Sequence, residues 1–70
     1  MFKVGEKVKY NVGSKVNPNY YESSVREVYQ NGHVELNNGH TFNSEGFHYD
    51  FSGNSQMTNH DGERVKLERV

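Results

Sequence analysis

Four histidines, His33, His40, His48 and His60, together with Asp50 and Asp61, supply enough imidazole and carboxylate for a zinc or copper site. Such a site needs three or four ligands converging at about 2.0–2.2 Å. No pair among these residues has a recognised ligand spacing, and the lack of cysteine removes thiolate ligation and any disulfide framework. Ordinary turn or surface histidines are therefore expected, with no metal and no other cofactor. Nucleophilic catalysis has no firmer basis. Ser, His and Asp are all present, but no nucleophile elbow or paired-acid motif gathers them, so the chain is expected not to be an enzyme.

Rings and cations offer binding chemistry instead. Tyr10, Tyr29, Phe42, Phe47, Tyr49 and Phe51 suit a core filled by rings, because the chain has no Ile, Ala or Trp and few Leu. The doublet Tyr20-Tyr21 is different. Neighbours on a strand point to opposite faces, so at least one of these rings is expected at the surface, where it can stack on a base or anchor a protein interface. Lys7 and Lys9 share the outward face of a first strand, with Lys3 extending the row and Arg26 beside it if the next strand pairs there. Such a row could hold phosphate, although a solvated face is its commoner meaning. A formal net charge of −1 argues against a surface built throughout for nucleic acid.

The elements that position these residues read as strands. From Tyr20 to Phe42 the sequence YYESSVREVYQNGHVELNNGHTF divides into three strands at Asn31-Gly32 and Asn38-Gly39, dipeptides that reach positive φ at low cost. Val34 and Leu36 share one face while His33 and Glu35 take the other. Val25 and Val28 are oddly spaced and fall on opposite faces unless a bulge or a strong bend intervenes. Before this meander, Val8, Tyr10 and Val12, with Val4 ahead of them, alternate with Lys7, Lys9 and Asn11, giving a first strand over residues 7–12. Residues 13–19, which hold the only Pro, form a loop. After Phe42, a turn at residues 43–46 leads to an alternation of Phe47, Tyr49 and Phe51 against His48 and Asp50, a fifth short strand. Residues 52–62 are polar and long for a connection, and residues 63–70, with Val65 and Leu67 inward against Arg64, Lys66 and Glu68, make a closing strand. No internal repeat is expected.

Seventy residues with 31% apolar content allow one domain, residues 1–70, with a core worth a net stability of about 3–5 kcal/mol. No apolar run approaches the roughly 18 residues of a membrane span and no signal-peptide core opens the chain, so a cytoplasmic location is expected.

The opening Val4-Gly5-Glu6-Lys7-Val8, then residues 21–28, Gly32-His33-Val34-Glu35-Leu36 and Asn38-Gly39-His40-Thr41-Phe42, resemble the small SH3-like barrels of the Tudor and KOW kind. The resemblance implies an all-β single barrel of five or six short antiparallel strands in a bent meander. It also suggests an aromatic cage at one barrel end, for which Tyr20, Tyr21 and Phe47 or Tyr49 are the candidate rings. The function expected is a non-catalytic protein-interaction module, of the small accessory or inhibitor type found in phages and plasmids, that binds a host macromolecule. Its contact residues are Tyr20, Tyr21, Asn54, Gln56, Met57 and His60. The alternative is nucleic-acid binding through Lys3, Lys7, Lys9 and Arg26.

Overall fold

The computed structural model describes residues 2–49 and 57–70. They form an all-β structure, with five antiparallel strands: β1 (Lys7–Asn11), β2 (Tyr20–Val28), β3 (Val34–Leu36), β4 (Thr41–Phe42) and β5 (Leu67–Arg69). No helix occurs among the described residues. The spatial order is β4-β3-β2-β1-β5, so the meander extends on one side of β2 and the last strand returns to the far side of β1. Residues 46–49 then link the two outer strands. Phe42 bridges His48 and Phe47 bridges Lys66, while the His48 and Leu67 N–H groups donate to the Val65 and Gly46 carbonyls at 2.8 and 2.7 Å. The curled sheet is compatible with a small SH3-like barrel.

The oddly spaced valines are reconciled by a bulge. Val25 pairs with Leu36 and Val28 with Val34, while the register shifts between Val25 and Glu27, so two residues of β2 oppose Glu35. The extra residue returns Val28 to the inner side and sharpens the local twist. Inside lie Val8, Tyr10, Val25, Val34, Leu36, Phe42, Val65 and Leu67, with Phe2, Val12, Val28 and Met57 packed against them.

Two facing assignments change. Val4 is 67% exposed, because Gly5 takes φ +88° and closes a turn in which the Glu6 N–H reaches the Lys3 carbonyl at 3.0 Å. The strand alternation therefore starts only after it. In the described part of the expected fifth strand, residues 47–49, which forms bridges and not a regular strand, His48 is buried and Phe47 is only half-buried, the reverse of the apolar-in pattern, while Asp50 and Phe51 lie outside the described residues. His48 pairs with buried Phe42 and so shares its inward face. The outward Phe47 ring lies beneath Arg64 and Lys66, whose charged ends sit 5.2 and 5.6 Å from its centroid.

A repeat is present after all. Residues 29–33, 36–40 and 43–47 form the same turn at seven-residue intervals, and residues 59–63 form a fourth copy. In each, the first N–H donates to the fifth carbonyl, and the fourth residue, a glycine, donates back to the first carbonyl. Gly32, Gly39, Gly46 and Gly62 have φ between 78° and 92°, and no described non-glycine residue has positive φ. These are three-residue loops with a left-handed glycine, not two-residue turns in which Asn and Gly are both left-handed. Asn31 and Asn38 contribute through their side chains, whose Oδ1 atoms accept the N–H groups of His33 and His40 at 3.0 and 3.2 Å.

Gly32 and Gly39 separate two costs. A Cβ at Gly39 meets nothing within 4 Å, whereas one at Gly32 lies 2.9 Å from the Ser44 Cβ. Gly39→Ala should lose about 1–2 kcal/mol for the left-handed backbone alone, and Gly32→Ala should lose more. Urea denaturation of the two variants checks the order; equal losses would contradict the close approach.

Candidate functional site

The Tyr20 end of β2 gathers three of the six expected contact residues, Tyr20, Tyr21 and His60. Cross-strand partners are Tyr10 with Tyr21 and Asn11 with Tyr20, so Tyr21 shares the inner face with buried Tyr10 and Tyr20 lies on the outer face. Tyr20 is 43% and Tyr21 51% exposed. The Lys9 ammonium sits 4.6 Å from the Tyr20 ring centroid, and the Tyr21 ring meets Tyr10 edge-on at 5.9 Å.

The loop before β2 is built on Asn11. Its Oδ1 accepts the N–H groups of Gly13 at 2.9 Å and Asn19 at 2.8 Å, which pinches the loop and leaves Val16 87% exposed at its tip. The 59–63 turn docks against this loop: the His60 N–H donates to the Gly13 carbonyl at 2.8 Å and Asp61 Oδ2 accepts the Lys15 N–H at 3.0 Å. His60 is thereby brought to the end of β1. Met57 instead packs on the core and donates its N–H to His48 Nδ1 at 3.0 Å, while Asn54 and Gln56 lie outside the described residues. Thr58 bridges Arg64, so the described part of this connection is a small hairpin.

Behind Tyr21 runs a polar and aromatic network that sequence reasoning missed. Asn38 Nδ2 donates to the Tyr10 hydroxyl at 2.8 Å, and the Tyr10 ring lies 5.7 Å from His40 and 5.4 Å from Phe42. His40 Nδ1 and His48 Nε2 are 3.2 Å apart. Because His48 Nδ1 accepts the Met57 N–H, a neutral His48 carries its proton on Nε2 and donates it to His40. In that tautomer Nε2 has no lone pair for a metal, since a ligating nitrogen must be unprotonated. No group of three His, Asp or Glu among the described residues converges on a metal-sized site. The signal that could have located this network is Asn38-Gly39-His40, whose turn aims both polar side chains at Tyr10.

The proposed cage rings do not converge. Tyr20 meets Lys9, Tyr21 meets Tyr10, Phe47 lies beneath Arg64 and Lys66, and Tyr49 packs on His33 with centroids 4.8 Å apart. The cationic row is interleaved with acids. Lys9 stands in register between Glu22 on β2 and Glu68 on β5, Lys7 faces Ser24, and Arg26 reaches Glu35 at 3.7 Å. Lys3 lies in the first turn, where its N–H donates to Glu6 Oε1.

At the far end of β2 a groove of about 660 Å³ opens over Phe2, Val28, Val34 and Leu67, with Glu45, Lys66 and Arg69 on its rim. Arg69 is already engaged there, stacked 4.5 Å from the Phe2 centroid and paired with Glu6 at 2.8 Å. No family model, curated protein or solved structure matches the chain.

Two tyrosine hydroxyls are held above their ordinary range. Burial pushes the Tyr10 hydroxyl above its ordinary value of 10.0, opposed by the Asn38 hydrogen bond and aided by Tyr21. Tyr29 is also raised, chiefly because its hydroxyl donates to Glu35. A raised tyrosine stays protonated in the folded chain when the unfolded chain has begun to ionise, so the folded state binds more protons and stability falls as pH rises. The contribution is intact below the ordinary tyrosine range and is lost above it. Unfolding free energy should therefore decline from about pH 9 to about pH 11, and less steeply in a Tyr10→Phe, Tyr29→Phe double variant; parallel profiles would contradict the assignment.

Proposed function

We propose that this protein is a non-catalytic protein-interaction module whose contact surface is the Tyr20 end of β2. One observation carries this reading: Val16, Tyr20 and Tyr21 are all well exposed at one end of the chain's pinned loop and β2. Exposed rings on a rigid sheet beside an ordered loop suit interface anchors, because large aromatic side chains bury much area for little lost entropy. The docked 59–63 turn adds His60 to the same end, and the rings' separate partners favour a broad contact over a cage.

The curled sheet is read as a Tudor/KOW-like barrel in the wide structural sense. A cytoplasmic accessory or inhibitor protein of phage or plasmid type, which occupies a surface of a host macromolecule, fits the single small domain. Nucleic-acid binding ranks second, because Glu22, Glu68 and Glu35 interrupt the row of Lys7, Lys9 and Arg26 and weaken any continuous phosphate track.

Affinity capture from a host extract should recover a specific partner, and Tyr20→Ala or Tyr21→Ala should weaken that partner's affinity at least about tenfold with the fold intact. A Lys7→Glu, Lys9→Glu double change should have the smaller effect. A partner lost only with the lysine changes, or tight and salt-sensitive binding of a short RNA, would overturn the proposal in favour of nucleic acid.

A further inference from the structure

Among the described residues, the β1–β2 ladder leaves residues 20–23 of β2 open on one side. Val12 N–H donates to the Asn19 carbonyl at 2.9 Å and Val25 N–H to the Glu6 carbonyl at 2.9 Å, so Asn19 and Val25 both turn their backbone groups toward β1. Alternation along an antiparallel strand then turns Tyr21 and Ser23 toward β1 and Tyr20, Glu22 and Ser24 away from it. On that far side β3 begins its pairing only at Val25, and the Ser24 carbonyl is taken by the Asn37 N–H at 3.0 Å. Among the described residues, no strand pairs with residues 20–23 on this side.

The N–H and C=O groups of Tyr20 and Glu22 therefore form an open strand edge next to the turn at residues 36–40. Edges of this kind are commonly blunted by Pro or Lys, and residues 20–23 contain neither. One exposed ring flanks the edge on each face. Glu22 is exposed and forms no ion pair among the described residues.

We propose that this edge docks an extended segment of a protein partner, added as an antiparallel strand beside Tyr20, Tyr21 and Glu22. The inference rests on the protein-interaction reading and specifies the chemistry of the partner. Antiparallel addition pairs three successive partner residues with Glu22, Tyr21 and Tyr20. The first shares the outer face with the unpaired Glu22 carboxylate, so it is Lys or Arg. The second faces Tyr21 in a non-hydrogen-bonded pair, where side chains are closest, so it is aromatic or β-branched. The third lies beside the Tyr20 ring and is apolar. Main-chain hydrogen bonds supply affinity and the alternating side chains supply selectivity.

The test is panning of a displayed random peptide library against the whole protein, with selected peptides then made synthetically. Selected peptides should carry the basic, aromatic or β-branched, apolar triplet and should protect the Tyr20 and Glu22 amides from hydrogen exchange. Glu22→Pro removes the outward N–H together with the carboxylate and should lower their affinity at least tenfold. A chemically synthesised chain with an N-methylated Glu22 amide removes the N–H alone, keeps the carboxylate and should lower affinity at least tenfold as well, whether or not the proline variant folds. Glu22→Lys should switch the first position to Asp or Glu. The proposal is overturned if no peptide is selected, if selected peptides bind the edge-blocked chains equally, or if they leave both amides unprotected. It is also overturned if the two amides are already protected by a second copy of the chain, seen as a dimer by light scattering. Should an extract partner depend on Tyr20 and Tyr21 yet bind edge-blocked protein normally, the interaction reading stands and strand addition falls.

Discussion

Left-handed glycine governs this fold. A chain with two leucines and no isoleucine cannot rely on core volume to select one meander from its neighbours, so the turns must do so. Gly32, Gly39 and Gly46 fold the chain back at equal intervals, and each return leaves only a few residues of strand. Shorter intervals would leave no room for a paired inward residue. With this spacing Val34 and Leu36 both reach the core, and Phe42 comes opposite Val34. The 36–40 turn also aims Asn38 and His40 at Tyr10, so the geometry that builds the sheet also builds the network there.

The short strands have a second consequence. β2 has nine residues and β3 three, so β3 cannot cover the length of β2. The bulge between Val25 and Glu27 bends β2 at the part that β3 does cover, and among the described residues the Tyr20 end is paired by β1 alone. Tyr10 stiffens that end from within, since its ring is buried and its hydroxyl is held by Asn38. Asn11 pins the preceding loop from the other direction. An open edge between two fixed supports loses little conformational entropy when a strand is added to it.

Much of this architecture was legible in residue order. The spacing of Val25 and Val28 demanded a bulge or bend, and the alternations of Val34 with Leu36 and of Val65 with Leu67 gave the correct buried faces. The glycine repeat escaped notice because its residues lie in turns, where hydrophobic periodicity carries no signal. The phase at Phe47 and His48 was misread for a physical reason. Hydrophobicity favours Phe inside, but the 43–47 turn fixes the register, and His48 can be buried because both ring nitrogens have partners, in Met57 and His40. The exposure of the tyrosine doublet was legible in part, since neighbours on a strand point to opposite faces, while the open edge proposed beside it depends on the unequal lengths of β2 and β3, which no local pattern encodes.

Amide hydrogen exchange of the free protein, followed residue by residue at concentrations where it is monomeric, tests the open edge most directly. Tyr21 and Ser23 should be protected by β1, and Tyr20 and Glu22 between and beside them should exchange at close to unprotected rates. Protection of Tyr20 and Glu22 equal to that of Tyr21 and Ser23 would show that another segment of the chain already covers this side of β2, and would contradict the docking edge at its root.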